Sequence, residues 1–316
     1  MSATHQRRLV LSRLVIVGPT ASGKSDLAGR VVGEIGGAEI LCVDSMTVYR
    51  GMDIGTAKST ASDRSAVVHH GLDLVDPDVD YSVAEFQRYA NRVIAGAGER
   101  DIALVMVGGT GLYVDAIVNG FTMPAQYPDI RRSLHEERDA EGLAKLYARL
   151  AILDPEAASR MEPTNDRRII RALEVCVGSG RPFSSYGPGL QATRSDERAD
   201  QSLMVGIVWP REELRRRIEL RFAKQLREGF VDEAASLRAS FGARLSRTAR
   251  QALGYRELWA HLDGLSTLDE AIDSAIVRTR QFAVRQERWF RRDPRIRWLT
   301  PDEAATISVD ELLSRR

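Results

Sequence analysis

The sequence predicts an α/β fold: a parallel sheet flanked by helices, interrupted by a mostly helical insertion. Three observations predict it. Strand-like and helix-like segments alternate up to Tyr113, a glycine-rich loop joins the first strand to the first helix, and short proline-punctuated helices replace that alternation between 121 and 202. Leu14 to Val17 is a short apolar run of strand type, and Ser25 to Ile35 spaces Leu27, Val31 and Ile35 four apart, as one helix face requires. The apolar run starts at Leu9, but Arg13 interrupts it and a glycine loop follows, so a buried strand fits better than a signal peptide or membrane span. Glu39 to Val43 extends again. Ser82-Val83-Ala84-Glu85 is a capping box, and it opens a helix with Phe86, Ala90, Val93 and Ile94 on one face. Ile102 to Val107 is a further strand.

The character then changes. Pro124, Pro128, Pro155 and Pro163 punctuate short helices, and Ser179 to Ser202 is polar and rich in glycine and serine. Leu203 to Val208 returns to an apolar run ending at Trp209-Pro210, as if the chain re-enters the first sheet. The expected organisation is a core over 9–120, a helical insertion over 121–202, and a return to the core over 203–316 that ends in basic helices. Within that return, Leu214, Ile218, Phe222 and Leu226 mark one amphipathic helix and Ile272 to Phe290 another.

Composition excludes several classes. With 316 residues, 43% of them hydrophobic, the chain can bury one substantial core and carry a smaller second body. Basic and acidic residues number 45 and 44, so no global field advertises a nucleic-acid partner and any basic site must be local. Cys42 and Cys176 are the only cysteines and form no CxxC, which speaks against a disulfide framework or structural zinc and suits a reducing cytoplasm. Cys42, in a strand beside Asp44, reads as a small hydrophobe and not a nucleophile. His69-His70, with Asp73 and Asp76 nearby, lacks a third ligand at metal spacing and is assigned a structural role.

Gly18-Pro19-Thr20-Ala21-Ser22-Gly23-Lys24-Ser25 satisfies GxxxxGK[ST] between a strand and a helix, the context that gives this phosphate-binding loop its meaning. Loop amides and the helix dipole make an anion site, Lys24 adds a positive charge, and the Ser25 hydroxyl is placed to ligate Mg2+. A nucleotide hydrolase also needs a strand ending in an acidic residue. Here Ala103 to Val107 runs instead into Gly108-Gly109-Thr110-Gly111, which counts against ATP or GTP hydrolysis and supplies a second set of amides with the Thr110 hydroxyl. Asp44 follows another strand, at the end where such sheets present ligands. General base, magnesium ligand and helix cap are all roles open to it.

These residues resemble the tRNA dimethylallyltransferase family, bacterial branch. The matching blocks are the phosphate loop Gly18 to Ser25, Asp44-Ser45-Met46, Tyr49 to Lys58, His69-His70, Tyr81 to Phe86, Gly108 to Tyr113, Asp166 to Val175, Gln251 to Glu257, and the arginine-rich stretch ending Trp289-Phe290-Arg291. They fall in family order across nearly the whole chain. The resemblance implies a P-loop NTPase-like core that binds Mg2+ and dimethylallyl diphosphate at Gly18, Pro19, Thr20, Ala21, Ser22, Gly23, Lys24 and Ser25. It implies transfer of the prenyl group to N6 of the adenosine 3′ to the anticodon, with the stem-loop gripped between the two bodies. Asp44 matches the proposed general base and Thr110 the threonine at the junction of diphosphate and adenine. Contacts to tRNA are implied for Asp44, Ser45, Met46, Thr47, Thr110, Arg131, Arg167, Arg168, Arg171, Arg250, Arg256, Arg280, Gln281, Arg285 and Arg288. Thr47 stands where many members have glutamine, and Phe282 and Val284 replace a tyrosine and a basic residue. The chain has no zinc finger of the eukaryotic type.

Between Arg278 and Arg297 eight arginines face only Glu287 and Asp293, a local basic patch on an otherwise balanced chain. Gln281, Arg285, Arg288 and Arg292 share one helical stripe suited to phosphate contacts, whereas Phe282 and Trp289 are expected to pack inward. A solvated face with acidic partners elsewhere is the alternative reading of the arginines. The expected protein is a monomer without a membrane anchor. Its rivals are a P-loop small-molecule kinase, an isopentenyltransferase acting on free adenine nucleotides, and an RNA-binding ATPase. The missing acidic strand end disfavours both ATP-driven readings, and the basic helix with the large insertion disfavours a free-nucleotide acceptor.

Overall fold

The computed structural model describes residues 14–186 and 202–314. Residues 9–13 of the expected first strand, 187–201 of the polar stretch and the last two residues lie outside them. Two compact units result: one runs to Asn119 and resumes after the insertion, and the other begins at Gly120.

In the first unit, β1 (Leu14–Val17), α1 (Lys24–Ile35), β2 (Glu39–Cys42), α2 (Ala61–Ala66), β3 (His69–His70), α3 (Val83–Glu99), β4 (Leu104–Gly108) and α4 (Gly111–Val118) follow in order. The second unit holds α5 (Pro128–Glu141), α6 (Leu143–Leu153), α7 (Pro155–Ser159) and α8 (Asp166–Ser179). The chain then returns to the first with β5 (Leu203–Ile207), α9 (Arg211–Arg227), α10 (Phe230–Phe241), α11 (Tyr255–Leu262), α12 (Leu268–Phe290), β6 (Ile296–Leu299), α13 (Pro301–Thr306) and α14 (Val309–Ser314). The six strands lie in the order β3-β2-β4-β1-β5-β6, with every neighbouring pair parallel. This is the α/β class that the alternation predicts. No described helix is long and apolar enough to cross a membrane.

Strand periodicity sorts the core into two faces. Val15, Val17, Leu41, Leu104, Met106 and Met204 pack with Phe86, Tyr113 and Phe290, while Leu14, Ile16, Ile40, Val105 and Val205 pack with Leu27, Val31, Ala304 and Leu312 on the other side. The sheet is thus buried on both faces, as parallel sheets are. Two strands escape the periodicity. β3 is only the His69–His70 pair, held at the edge by His70 Nε2 to Glu39 at 2.7 Å, and β6 carries the polar Arg297. His70 is thus tied to the sheet edge, and no group of three potential metal ligands stands among the described residues.

The second unit has its own core, built from Leu134, Leu146, Leu150, Ile169, Ile170 and Leu173. A fully buried Glu174 anchors it: the carboxylate accepts from Tyr127 N at 2.7 Å and Arg131 Nε at 2.8 Å, and pairs with Arg171 at 3.0 Å. Asp154 caps α7 through Ala157 N and also accepts from the Ser184 amide and hydroxyl.

The segment after β2 is unusually well braced. Lys58, almost fully buried, donates to Tyr49 O at 2.5 Å and pairs with Asp53 and Asp73 at 2.6 Å each. Glu233 accepts from three successive amides, Asp53, Ile54 and Gly55, at 3.0, 2.8 and 3.1 Å, and from the Tyr255 hydroxyl. Gln225 donates to the carbonyls of Ile54 and Gly55. Gly55 is required by the packing: a Cβ there would come within 2.2 Å of the Phe230 ring and 2.4 Å of Tyr255. Gly55→Ala is therefore expected to destabilise the protein by about 1–3 kcal/mol through overpacking. Urea unfolding checks this, and an unchanged midpoint would contradict the close approach.

Candidate active site

Three loops converge at the carboxyl ends of adjacent strands, where open parallel sheets place their ligands. The phosphate loop follows β1, Asp44 follows β2, and Gly108, the last residue of β4, leads into Gly109-Thr110. The cleft they line, of about 370 Å3, collects Thr20, Lys24, Ser25, Asp44, Ser45, Met46, Thr47, Gly108, Gly109 and Arg285 from the sequence-derived candidates. Helix α9 adds Arg221, and α12 adds Phe282 and Gln286.

The phosphate loop is held from outside. Gly18 and Gly23 take φ of 145° and 90°, and Ala21 adopts φ of 61°, a left-handed conformation that a non-glycine residue keeps only when its surroundings impose it. Those surroundings are identifiable. Trp209 Nε1 donates to Ser22 O at 2.9 Å and Arg217 Nε to Ala21 O at 2.8 Å, with the Arg217 guanidinium stacked 4.2 Å over the Trp209 ring. Lys24 Nζ donates to Pro19 O at 2.6 Å, and Gln286 accepts from Thr20 N at 2.8 Å. The Ala21 and Ser22 carbonyls are thus held by side chains outside the loop and Pro19 O by the loop's own Lys24, an arrangement that shapes the loop for an anion. Ser22 Oγ is buried with no partner among the described residues.

Asp44 is half-buried. Its Oδ1 accepts from Met46 N at 2.8 Å, and the neighbouring Thr47 N and Thr110 hydroxyl favour its charged form. Burial nevertheless raises its pKa above the ordinary carboxylate range, against those hydrogen bonds and the attraction of Lys24. Thr110 Oγ1 also accepts from Ser45 N at 3.2 Å, so the β4 loop is tied to the Asp44 segment. The Thr47 hydroxyl is buried with no partner among the described residues. Cys42 is neutral, its thiol pushed up to about 12 by burial and by Asp44.

Two cations face this carboxylate. Burial, and next the repulsion of Arg221, lower the Lys24 ammonium to about 7, with Asp44 opposing. Arg221 is likewise lowered by burial and supported by Asp44, but a guanidinium keeps its proton. A bound anion would restore the Lys24 proton, because an added negative charge favours the ammonium. Affinity for inorganic diphosphate should therefore be complete below pH of about 7 and weaken above it, by up to about tenfold per unit, with proton uptake on binding. Calorimetry in buffers of different ionisation heat measures that uptake. Zero uptake above neutrality would contradict the linkage.

The other candidate residues are divided between the two units. Arg167 and Arg168 are exposed at the start of α8, whereas Arg131 and Arg171 are committed to the buried Glu174. Arg250 braces its own loop through the carbonyls of Leu245 and Ala243, and Arg256 is exposed on α11. On α12, Gln281, Arg285 and Arg288 form an exposed stripe, as the helical spacing predicts, and the exposed Arg292 follows in the turn just past the helix. Arg278, Arg280, Arg291 and Arg295 instead pair with Glu257, Glu219, Glu287 and Asp293, so the alternative of acidic partners holds for that half of the patch. One expectation fails. Phe282 does not pack inward but lines the cleft, with Arg285 5.8 Å from its ring, because Ala283 and Gln286 occupy the buried face beside it. Trp289 does pack on the core and donates to Asp115 at 3.0 Å.

Sequence reasoning missed Arg221, Gln286, Trp209 and Arg217. A signal existed for two of them. Arg221 lies three residues after Ile218 on the apolar face of α9, and Gln286 falls on the buried stripe Thr279, Ala283, Gln286, Phe290 of α12. Polar groups on apolar stripes mark either a network or a site.

Comparison with known proteins identifies the family. The profile described as IPP transferase matches residues 47–293. The tRNA dimethylallyltransferase of Geobacter metallireducens is 46% identical over 91% of this chain and 92% of its own length. That of Streptomyces coelicolor is 45% identical over 95% and 93%. The solved full-length tRNA isopentenylpyrophosphate transferase of Bacillus halodurans superposes with a TM-score of 0.65, at 36% identity over 95% of this chain and 93% of that one. The chain belongs to the IPP transferase family, in which these tRNA-modifying prenyltransferases fall.

Proposed function

We propose that this protein transfers the dimethylallyl group of dimethylallyl diphosphate to N6 of the adenosine 3′ to the anticodon in tRNA, releasing diphosphate. The observation that carries this reading is the facing arrangement of Lys24 and Arg221 with a carboxylate, Asp44, in one cleft beneath two glycine loops. The cations and loop amides receive the diphosphate. As the carbon–oxygen bond to the allylic carbon loosens, negative charge grows on the leaving group, where those donors stabilise it. The N6 nitrogen forms its bond to that carbon, and its proton passes to Asp44 Oδ. No phosphoryl group moves, consistent with the glycine that ends β4 where a nucleotide hydrolase needs an acidic residue.

The residues fit Mg2+. The Ser25 hydroxyl opens onto the cleft with no hydrogen bond among the described residues, and hard oxygen atoms of Ser25 and the bound diphosphate suit that ion. Magnesium would neutralise charge developing on the diphosphate. No protein cage is needed for it, since magnesium at such sites is held largely by phosphates and water.

The acceptor adenine must leave the loop stack to reach the cleft, at a modest cost in an unpaired anticodon loop. Phe282, at the cleft wall beside Arg285, offers a ring on which a base can stack. Arg285, Arg288, Arg167 and Arg168 are exposed and supply phosphate contacts. The test is transfer of carbon-labelled dimethylallyl diphosphate to an anticodon stem-loop, with AMP as rival acceptor and ATP hydrolysis followed in parallel. Label on the RNA alone supports the reading; label on AMP, or ATP turnover without transfer, replaces it with the corresponding rival.

A further inference from the structure

We propose that Gln286 is a positioning residue for the diphosphate cradle, its single amide fixing the separation of the phosphate loop from the Gly108-Gly109-Thr110 loop. The inference rests on the reading of the cleft as a diphosphate site. Gln286 is 6% exposed and points from α12 between the two loops. Its Oε1 accepts from Thr20 N at 2.8 Å and its Nε2 donates to Gly109 O at 2.9 Å. Both partners are backbone groups, so what the amide holds is loop position and not side-chain identity. Glutamine is suited to this because one planar group carries a donor and an acceptor side by side. Glutamate would put a second acceptor against the Gly109 carbonyl, and methionine would leave both backbone groups unpaired.

The loop is shaped to admit that amide. A Cβ on Gly109 would lie 2.4 Å from Gln286 Nε2, whereas the nearest atom outside Gln286 is Gly18 O at 3.4 Å. Gly109 does not occupy the left-handed region, so the steric demand of Gln286 is what excludes a side chain there. An anion cradle acts only when its donors are held within fractions of an ångström, and the two loops have no covalent link nearer than the chain between them. Gln286 supplies the link. It sits one residue from Arg285 and two from Arg288, so the exposed basic stripe and the cradle share one helix.

A merely structural glutamine, holding α12 in the core, would behave differently. Inorganic diphosphate binding with magnesium present, measured by calorimetry, separates the two, because loss of folded protein lowers stoichiometry while loss of positioning lowers affinity. Gln286→Met is expected to weaken diphosphate about tenfold at near-normal stoichiometry, the size of a lost buried hydrogen-bonded pair. Gly109→Ala alone should weaken it similarly, and adding Gln286→Ala to Gly109→Ala should cost nothing beyond the Gln286→Ala variant itself, since the clash is gone. If Gln286→Met leaves affinity unchanged, or if the two substitutions are independent, the inference is overturned. If the unaltered protein fails to bind diphosphate, it is the reading of the cleft that falls.

Discussion

Replacing Asp44 with alanine is expected to slow prenyl transfer by about a hundredfold or more while RNA binding stays near normal, the loss typical of a general base. The expectation follows from where the carboxylate stands. It lies just beyond β2, its burial raises its pKa, and a hydrogen bond from Met46 N holds it in place. A carboxylate made more basic by burial accepts a proton more readily than one in water, which an arylamine nitrogen requires as it bonds to carbon. The pH dependence has a definite sign. The base acts deprotonated, so activity should fall as pH drops through its raised pKa, at a higher pH than an ordinary carboxylate would give. Asp44→Asn keeps shape and removes that limb. Single-turnover rates at saturating donor and RNA make the comparison, and near-normal turnover in either variant would remove Asp44 from the role.

Lys24→Met should reduce the single-turnover rate by about 10²- to 10³-fold, as expected when one donor to a developing anion is lost. In the cleft Lys24 donates to Pro19 O, and burial beside Arg221 leaves its pKa about 7. An incoming diphosphate gains both a hydrogen-bond donor and a recovered charge. The charge on the leaving group increases toward the transition state, so the loss should appear in the rate at saturating donor and not only in the donor KM. A rise in KM with unchanged rate would assign Lys24 to ground-state binding alone. The same variant should abolish proton uptake on diphosphate binding above neutrality, which separates Lys24 from other groups that titrate near 7.

The parts of the site legible in the sequence are those that short-range pattern can encode. Gly18 to Ser25, Asp44 and Thr110 each follow directly on an apolar strand, so strand prediction and ligand-end geometry place them together without a tertiary model. The parts that were not legible depend on pairings over long separations. Gln286 meets Thr20 and Gly109 from 266 and 177 residues away, and Trp209 and Arg217 reach the carbonyls of Ser22 and Ala21 from beyond the insertion. No local periodicity reports such contacts. Phe282 was misplaced for a related reason: an aromatic residue near the boundary of a helix's apolar face faces either core or cleft according to which neighbours fill the core, and Ala283 and Gln286 fill it here. The edge strands β3 and β6 were missed because two residues, or four interrupted by arginine, carry too little alternation to register.

The decisive measurement uses a doubly labelled donor, with carbon label in the dimethylallyl group and phosphorus label in the diphosphate, incubated with magnesium and an anticodon stem-loop. Carbon label attached at N6 of the adenosine 3′ to the anticodon, with phosphorus label recovered as intact diphosphate, is the expected result. Phosphorus label on the RNA, or release of monophosphate without carbon transfer, would contradict it, because the cleft would then be moving a phosphoryl group and not an allylic carbon.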